Sequence, residues 1–196
     1  MDIEIKRLTP ELAEDYIHFF DTTKHDSGED EARCYCVCWC SDDHRVRKDF
    51  TTAEDRRKLA AEYVKDGVIQ GYLAYNDNKV VGWCNANTKA DCLNCISWLR
   101  FMGNVSAGKY EADKKVKSVF CFVIAPEYQR KGIASKLLAR VIQDAAEEGF
   151  DFVEAYPNKT FINMERDFTG PVEMYKKAGF EVVEELGDMA VVRKSF

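Results

Sequence analysis

The stretch VKSVFCFVIAPEYQRKGIASKLLARVIQDAAEEGF, residues Val116–Phe150, contains the pattern that decides the fold. Residues 116–125 are almost all β-branched, aromatic or small and apolar, which is typical of a strand buried on both faces. Pro126 ends that strand because it has no N–H to donate to a sheet. From Ile133 onward apolar residues recur at helical spacing until Gly149. The stretch therefore predicts a buried strand, a short turn and an amphipathic helix.

The turn between that strand and helix, EYQRKG at residues 127–132, is basic and contains one glycine. The first N–H groups of a helix have no partner inside it, and the helix dipole is positive at that end. Gly132 and the small Ala134 allow a ligand to approach this backbone closely. The pattern predicts a phosphate site at the helix N-terminus, with an ordinary strand–turn–helix connection and a solvated Arg-Lys pair as the alternative.

Two segments resemble a known family. The strand, Pro126 and then Gln129-x-x-Gly132-x-Ala134 are similar to the acyl-CoA signature Q/R-x-x-G-x-G/A of the GNAT family of N-acetyltransferases. The segment MYKKAGF at Met174–Phe180 is similar to the closing helix of that family, where a tyrosine lies a few residues before Gly-Phe. The first 110 residues are consistent with the family but do not contain its motifs.

The resemblance implies acetyl-CoA as cosubstrate, bound at two places. Backbone N–H groups and the positive helix end would hold the pyrophosphate of CoA. The residues that the resemblance assigns to it are Gln129, Arg130, Lys131, Gly132, Ile133, Ala134 and Ser135. In this family the buried strand splays from its neighbour and binds the pantetheine arm and the thioester oxygen through backbone groups. Those groups would belong to Phe122, Val123 and Ile124, and a fully paired central strand is the alternative.

Tyr175 is the candidate acid. Acyl transfer from a thioester expels a thiolate, and a positioned phenol can protonate it. The family pattern places Tyr175 in that role. Because Val172, Tyr175 and Ala178 share one helix face, a core tyrosine is the alternative.

Glu154 is the candidate base. An ammonium acceptor must lose a proton before it attacks, and residues 116–125 include no Asp or Glu. Glu154 interrupts the apolar strand at 152–156, where a carboxylate needs either a partner or a role. A salt-bridged or edge-exposed glutamate is the alternative. The family often carries an asparagine between its fifth strand and its closing helix. Asn163 lies in that loop but at a different spacing, and Phe168 is nearer the expected position.

The tract CYCVCWC at residues 34–40 places four cysteines at alternate positions, which would line one face of a strand. The C-x-x-C pair at 92–95 would complete a thiolate metal site. Structural zinc sites usually combine two C-x2–4-C pairs, which this run does not match, so we expect core residues and no metal. With Trp83 and Trp98, Trp39 would suit an aromatic pocket for a cationic acceptor.

The composition, with 46 % hydrophobic and 32 % charged residues, indicates a folded protein. A net charge of −6 argues against a nucleic-acid partner. No apolar run approaches the roughly 20 residues that span a bilayer, and MDIEIKRLTP lacks the apolar stretch of a signal peptide. We therefore expect a cytoplasmic protein with no membrane partner, whose eight cysteines stay reduced.

The order of predicted elements indicates an α+β fold in one domain, residues 1–196. The predicted strands lie at 3–8, 69–75, 79–86, 116–125, 152–156, 181–184 and 189–193. The predicted helices lie at 10–21, 51–67, 133–149 and 171–179, with a short helix within the loop 88–110. Thr51 with Glu54, and Thr169, are the predicted caps. We expect a GNAT-like, mixed but mostly antiparallel central sheet of about seven strands, with helices on both faces and one parallel pair.

The resemblance and the residues together indicate an acyltransferase that moves an acetyl group from acetyl-CoA directly to a primary amine in a ternary complex. Two alternatives stay open: a non-catalytic acyl-CoA-binding protein, because no clear base is present, and a cysteine-based zinc-binding or sensor module. In this family the acceptor is chosen by segments that correspond to residues 10–67 and 88–113. A small-molecule or a peptide amine therefore stays open, and so does a homodimer.

Overall fold

Seven strands form one sheet in the computed structural model, which describes residues 1–23, 33–41, 52–105, 113–163 and 166–196. In the sheet they lie in the order β1-β2-β3-β4-β5-β7-β6. Their bounds are β1 Glu4–Arg7, β2 Gly71–Asn76, β3 Lys79–Thr88, β4 Val116–Ile124, β5 Phe152–Ala155, β6 Glu181–Leu186 and β7 Met189–Ser195. All neighbours are antiparallel except β4 and β5, which confirms the predicted mixed sheet.

Six α-helices lie in the described ranges. They are α1 Ala13–Thr22, α2 Ala53–Lys65, α3 Lys89–Cys92, α4 Ile96–Phe101, α5 Ile133–Glu147 and α6 Val172–Lys177. α5 and α6 pack with Tyr72 and Phe122 on one face of the sheet, and α1 and α2 pack with Leu73 and Trp83 on the other. Neighbouring strand residues face opposite sides, so these helices cover both faces as predicted. No helix in these ranges is long and apolar enough to cross a bilayer.

The β4–turn–α5 unit matches its prediction closely. Every residue of β4 is buried, because helices cover both faces of this central strand. α5 buries one apolar stripe against the sheet, at Ile133, Leu137, Leu138, Val141 and Ala145. The β2–β3 hairpin is also confirmed, since Asp77 and Asn78 both adopt the left-handed conformation of a tight two-residue turn.

The cysteine tract is not a strand, so that interpretation was wrong. Tyr35 and Cys36 have φ values of 46° and 52°, and Val37–Trp39 forms a short 3₁₀ helix. The turn is fixed by contacts distant in sequence, because the Tyr16 hydroxyl donates to the Tyr35 carbonyl at 2.9 Å. The four cysteines therefore do not line one face.

Three other local predictions are corrected. The α2 cap is Thr52, whose Oγ1 accepts from the Asp55 N–H at 3.1 Å, while Thr51 lies outside the described residues. Thr169 does not cap α6, which begins after Pro171 without a side-chain cap. The loop 88–110 contains two short helices, α3 and α4, in its described part.

A buried carboxylate fastens α5 to the edge of the sheet. Asp144 accepts hydrogen bonds from Arg7 (2.8 Å), Tyr72 (3.0 Å) and Arg140 (2.6 Å). Burial acts to raise the pKa of Asp144, but the hydrogen bonds from Arg140, Arg7 and Tyr72 outweigh it and hold that pKa below its usual value. The contact fixes the helix whose N-terminus is the predicted phosphate site.

We expect Asp144→Asn to lower the free energy of unfolding at pH 7 by about 1–3 kcal/mol, since it removes charge-assisted hydrogen bonds. The folded-state pKa is lowered, so this stability is present above the unfolded pKa of about 3.9 and is lost as pH falls through the folded value. Denaturant titrations from pH 7 to pH 2 should show the two proteins converging in acid. Glu147→Gln, on the exposed face of α5, is the control and should change little.

Candidate active site

β4 and β5 are paired over only part of their length. The parallel ladder runs from Val116–Phe152 to Val119–Ala155 and ends there. Beyond it the chain after β5 follows β7, because the Ala190 N–H donates to the Pro157 carbonyl at 2.9 Å. β4 continues to Ile124, where β3 pairs with its other edge. The two central strands therefore split at residue 120, and the β5-facing edge of β4 is left without a partner strand.

A bulge marks the start of this split. The β3–β4 register passes from Asn85–Cys121 to Ala86–Val119, so Phe120 is an extra residue on β4. Beyond it the Ala125 N–H donates to Val81 on β3. Backbone groups alternate along a strand, so Val123 also faces β3, whereas Phe122 and Ile124 face the split. Of the three residues predicted to bind the arm, two thus present backbone groups to the open edge.

Both exposed backbone positions have local partners. The Phe122 N–H donates to the Phe168 carbonyl at 2.7 Å. The Ile124 carbonyl accepts from Gln129 Nε2 at 3.3 Å. Phe168 follows Asp167, a buried carboxylate that accepts from Asn158 Nδ2 (2.6 Å) and the Ile162 N–H (2.6 Å). The segment next to Asp167 thus reaches the split. Its Phe168 carbonyl accepts from the Phe122 N–H, a backbone group that the resemblance assigned to the pantetheine arm.

The N-terminus of α5 is open, as the predicted phosphate site requires. No described side chain caps this end, and Gly132 at the cap position has a φ of 80°. A Cβ on Gly132 would meet nothing within 4 Å, so this space is available to a ligand. Arg130 and Lys131 are exposed, and no ion pair within the described ranges involves either. Gln129 joins this turn to the split, since its amide reaches the Ile124 carbonyl.

The remaining residues predicted for the pyrophosphate lie in the first turn of α5. These residues are Ile133, Ala134 and Ser135, and their backbone N–H groups lie together at the N-terminal end of the helix. Ile133 is buried in the core and anchors the turn, while Ser135 is exposed.

Tyr175 is fully buried on α6 below the split. Its hydroxyl donates to the Thr169 carbonyl at 2.5 Å, and its ring packs edge-on against Phe180. Burial raises the pKa of Tyr175 well above the ordinary value of a phenol. The hydroxyl therefore keeps its proton at neutral pH, and in this structure the proton points at a backbone carbonyl of the Asp167 loop.

Glu154 is salt-bridged, which was the alternative to its predicted role as a base. Its Oε1 accepts from Lys89 Nζ (2.5 Å) and the Tyr156 hydroxyl (2.6 Å), and its Oε2 accepts from Arg193 Nη2 (2.6 Å). The side chain has no solvent exposure, and the Tyr156 hydroxyl also lies 2.9 Å from Ser118 Oγ. Both oxygens are engaged by protein donors, so the contacts favour a structural role over proton abstraction.

The tryptophans divide between two places. Trp39 stacks on Phe120 with centroids 4.6 Å apart, and Trp98 packs edge-on against the same ring. Trp83 lies elsewhere, with its ring edge-on to Tyr16 and its indole N–H directed at Cys36 Sγ. Sequence reasoning missed Phe120 as a side chain at the split, and the β-bulge that turns its ring to this face leaves no sequence signal.

Five of the eight cysteines are buried in the core, and Cys34, Cys38 and Cys40 are partly buried against it. None of the eight, all of which lie in described ranges, forms a disulfide. In the described part of the chain, no group of three or more His, Cys, Asp or Glu residues is arranged to hold a metal ion. Burial raises the pKa of the Cys40 thiol to about 12, so this thiol is protonated at neutral pH.

The chain matches a family model and several solved structures. A model described as the acetyltransferase (GNAT) family matches residues 7–180. A mosquito arylalkylamine N-acetyltransferase like 5b has a TM-score of 0.62 at 11% identity, covering 100% of both chains. The structure of the PaiA N-acetyltransferase from Thermoplasma acidophilum in complex with coenzyme A has a TM-score of 0.54 at 15% identity, covering 100% of both chains. A GNAT family acetyltransferase from Streptococcus pneumoniae has a TM-score of 0.52 at 16% identity, and the match covers 100% of this chain and 99% of that protein's chain.

At these identities the likeness to solved structures extends to the fold alone. No curated protein matches the chain.

We expect Glu154→Gln to lower the free energy of unfolding by about 3–5 kcal/mol, because Lys89 and Arg193 would remain buried without their carboxylate. Chemical denaturation measures the loss. Glu173→Gln is the matched control, since it removes a carboxylate from an exposed ion pair with Lys176 and should cost at most about 1 kcal/mol. A Glu154→Gln protein of unchanged stability that had lost only its catalytic activity would instead identify a base.

Proposed function

The chain belongs to the GNAT acetyltransferase family, and on that premise we propose that it transfers an acetyl group from acetyl-CoA to a primary amine, directly and within a ternary complex. One observation carries the proposal: the uncapped N-terminus of α5 lies at the end of the split between β4 and β5, and Gln129 links the two. The helix N-terminus suits a diphosphate, and the split suits an extended chain of amides. A CoA thioester contains both groups.

The pyrophosphate would bind the N–H groups at the start of α5, with the side chains of Arg130 and Lys131 beside it. The pantetheine arm would add to the open edge of β4 at Phe122 and Ile124, taking their backbone groups as a neighbouring strand would. The Thermoplasma relative was solved with coenzyme A, which supports the same cosubstrate on this fold. Acetyl as the acyl group is the family expectation.

In the proposed reaction the neutral amine nitrogen attacks the thioester carbonyl carbon, and a C–N bond forms as the oxygen becomes negative. A backbone N–H on the split edge of β4 would stabilise that oxygen. The carbonyl then re-forms, the C–S bond breaks and its electron pair leaves with the thiolate. The acceptor nitrogen releases its extra proton to solvent water, and a proton from solvent restores the acid that protonates the thiolate. Free CoA and an N-acetyl amine are the products.

We propose that Tyr175 protonates the leaving thiolate and that cosubstrate binding makes its hydroxyl available. The two consecutive carbonyls of Phe168 and Thr169 hold the Phe122 N–H and the Tyr175 hydroxyl, respectively. An arm that takes over the Phe122 N–H displaces the first carbonyl and, through the shared backbone, moves the second. Binding of the cosubstrate would thus release the acid as it fills the split.

Isothermal titration with acetyl-CoA tests the binding site. We expect Arg130→Ala/Lys131→Ala to weaken the affinity about tenfold or more, because two cations near the diphosphate are lost. Lys58→Ala/Lys65→Ala removes the same charge from α2, on the opposite face, and should leave the affinity unchanged. Absence of acetyl-CoA binding by the wild-type protein would refute the assignment.

Release of free CoA in the presence of an amine panel then tests transfer. Binding without amine-dependent release would support the second candidate, a non-catalytic acyl-CoA-binding protein, which the engaged oxygens of Glu154 favour.

We expect Tyr175→Phe to lower kcat about 100-fold while the KM for acetyl-CoA changes little, because the thiolate would leave unprotonated. Steady-state rates across pH measure this, and since burial raises the pKa of Tyr175, the wild-type rate should not fall until the pH is strongly alkaline. Tyr75→Phe is the control, since it removes a tyrosine hydroxyl bonded to Asp15 on the face of the sheet opposite Tyr175. Equal kcat for wild-type and Tyr175→Phe would assign Tyr175 to the core alone.

A further inference from the structure

A tight turn at residues 167–170, the Asp167 turn, lies against the open edge of β4. The Gly170 N–H donates to the Asp167 carbonyl at 2.8 Å, which closes a four-residue turn. The carbonyl of Phe168, a central residue of this turn, accepts from the Phe122 N–H at 2.7 Å. A Cβ on Gly170 would lie 3.6 Å from the Phe122 ring, so the turn is in direct contact with β4 where the two strands have split.

The carboxylate of Asp167 ties this turn to the chain before it. Asp167 is buried, and its Oδ1 accepts from Asn158 Nδ2 at 2.6 Å. Its Oδ2 accepts from the N–H groups of Ile162 (2.6 Å) and Asn163 (3.1 Å). Burial acts to raise the pKa of Asp167, but these hydrogen bonds outweigh it and hold that pKa below its usual value. The carboxylate is therefore charged at neutral pH, and three charge-assisted hydrogen bonds hold the turn in place.

The Asp167 turn and a strand-like ligand compete for the same backbone donor. An amide N–H has a single hydrogen, so a carbonyl oxygen of the pantetheine arm can pair with the Phe122 N–H only after the Phe168 carbonyl has left it. A ligand that binds only the open state has its affinity reduced by the fraction of molecules that are open. The contacts that hold the turn in place therefore act against binding of the arm.

We propose that Asp167 is a positioning residue that limits the access of the cosubstrate, because it holds the Phe168 carbonyl on the Phe122 N–H until the pantetheine arm displaces it. This inference rests on the proposed binding of acetyl-CoA and adds the regulation of that same site. A residue that restrains access weakens cosubstrate binding when it is intact, whereas a residue that only supports the folded site strengthens it. The sign of the change on substitution therefore separates the two roles.

Calorimetry with acetyl-CoA and Asp167→Asn tests the role. An amide has one acceptor oxygen and cannot serve donors on both sides, so the turn would be held less firmly. We expect the affinity for acetyl-CoA to rise about threefold or more. Asp151→Asn is the matched control, because that carboxylate accepts from the Lys115 N–H (2.8 Å) and Lys114 Nζ (3.0 Å) away from the split. Its substitution should leave the affinity unchanged.

Hydrogen exchange in the free protein follows the turn directly. We expect the Phe122 amide to exchange about tenfold faster in Asp167→Asn than in the wild-type protein. The Ala125 amide, which donates to Val81 on β3, should keep its wild-type rate and so show that the sheet is intact.

A milder variant keeps the test decisive where Asp167→Asn does not fold. Asn163→Ala removes the side-chain acceptor of the Arg166 N–H (2.9 Å) at an exposed residue, and it should raise the affinity and the Phe122 exchange rate about twofold. Unchanged or weaker acetyl-CoA binding by the folded variants, or an unchanged Phe122 exchange rate, would overturn the inference and leave the proposed function intact. Failure of the wild-type protein to bind acetyl-CoA would overturn the proposed function, and this inference with it.

Discussion

The short ladder between β4 and β5 is the constraint on which the rest of the structure depends. Only four residue pairs join the two central strands, from Val116–Phe152 to Val119–Ala155. Buried backbone groups need partners, so the β4 edge beyond residue 119 has to be served by something other than a strand. The Phe168 carbonyl and the Gln129 amide meet that need, and each belongs to a segment that the proposed chemistry also uses.

The charged cluster at Glu154 lies where the two strands are still joined. Glu154 pairs with Ser118 on β4 and with Arg193 on β7 in the sheet register, and Lys89 reaches it from the start of α3. A buried carboxylate with two cations is stable only when every partner is in place. The cluster thus holds β5, β7 and α3 together where β4 and β5 are still paired.

Sequence reasoning predicted the sheet, the parallel pair and the β4–turn–α5 unit because their patterns are local. A continuous apolar strand, a proline and a helical stripe need no distant partner to be recognised. The strand predicted at 34–40 was wrong because the structure there depends on a distant residue. Its left-handed turn accepts a hydrogen bond from the Tyr16 hydroxyl. The sequence marked Glu154 as a carboxylate within an apolar strand, but its partners Lys89 and Arg193 are 65 and 39 residues away. The sheet register brings Arg193 to Glu154, and the position of α3 brings Lys89, and neither is visible in the local sequence.

The loop that crosses the split also has a consequence for the behaviour of the chain in a crowded solution. An unpaired strand edge is a template on which another polypeptide can add, and such edges promote aggregation. Here the N–H of Phe122 at the unpaired edge is already bonded within the molecule, to the Phe168 carbonyl. While that bond is in place, a foreign extended peptide cannot pair with this donor, so the edge is protected against strand addition.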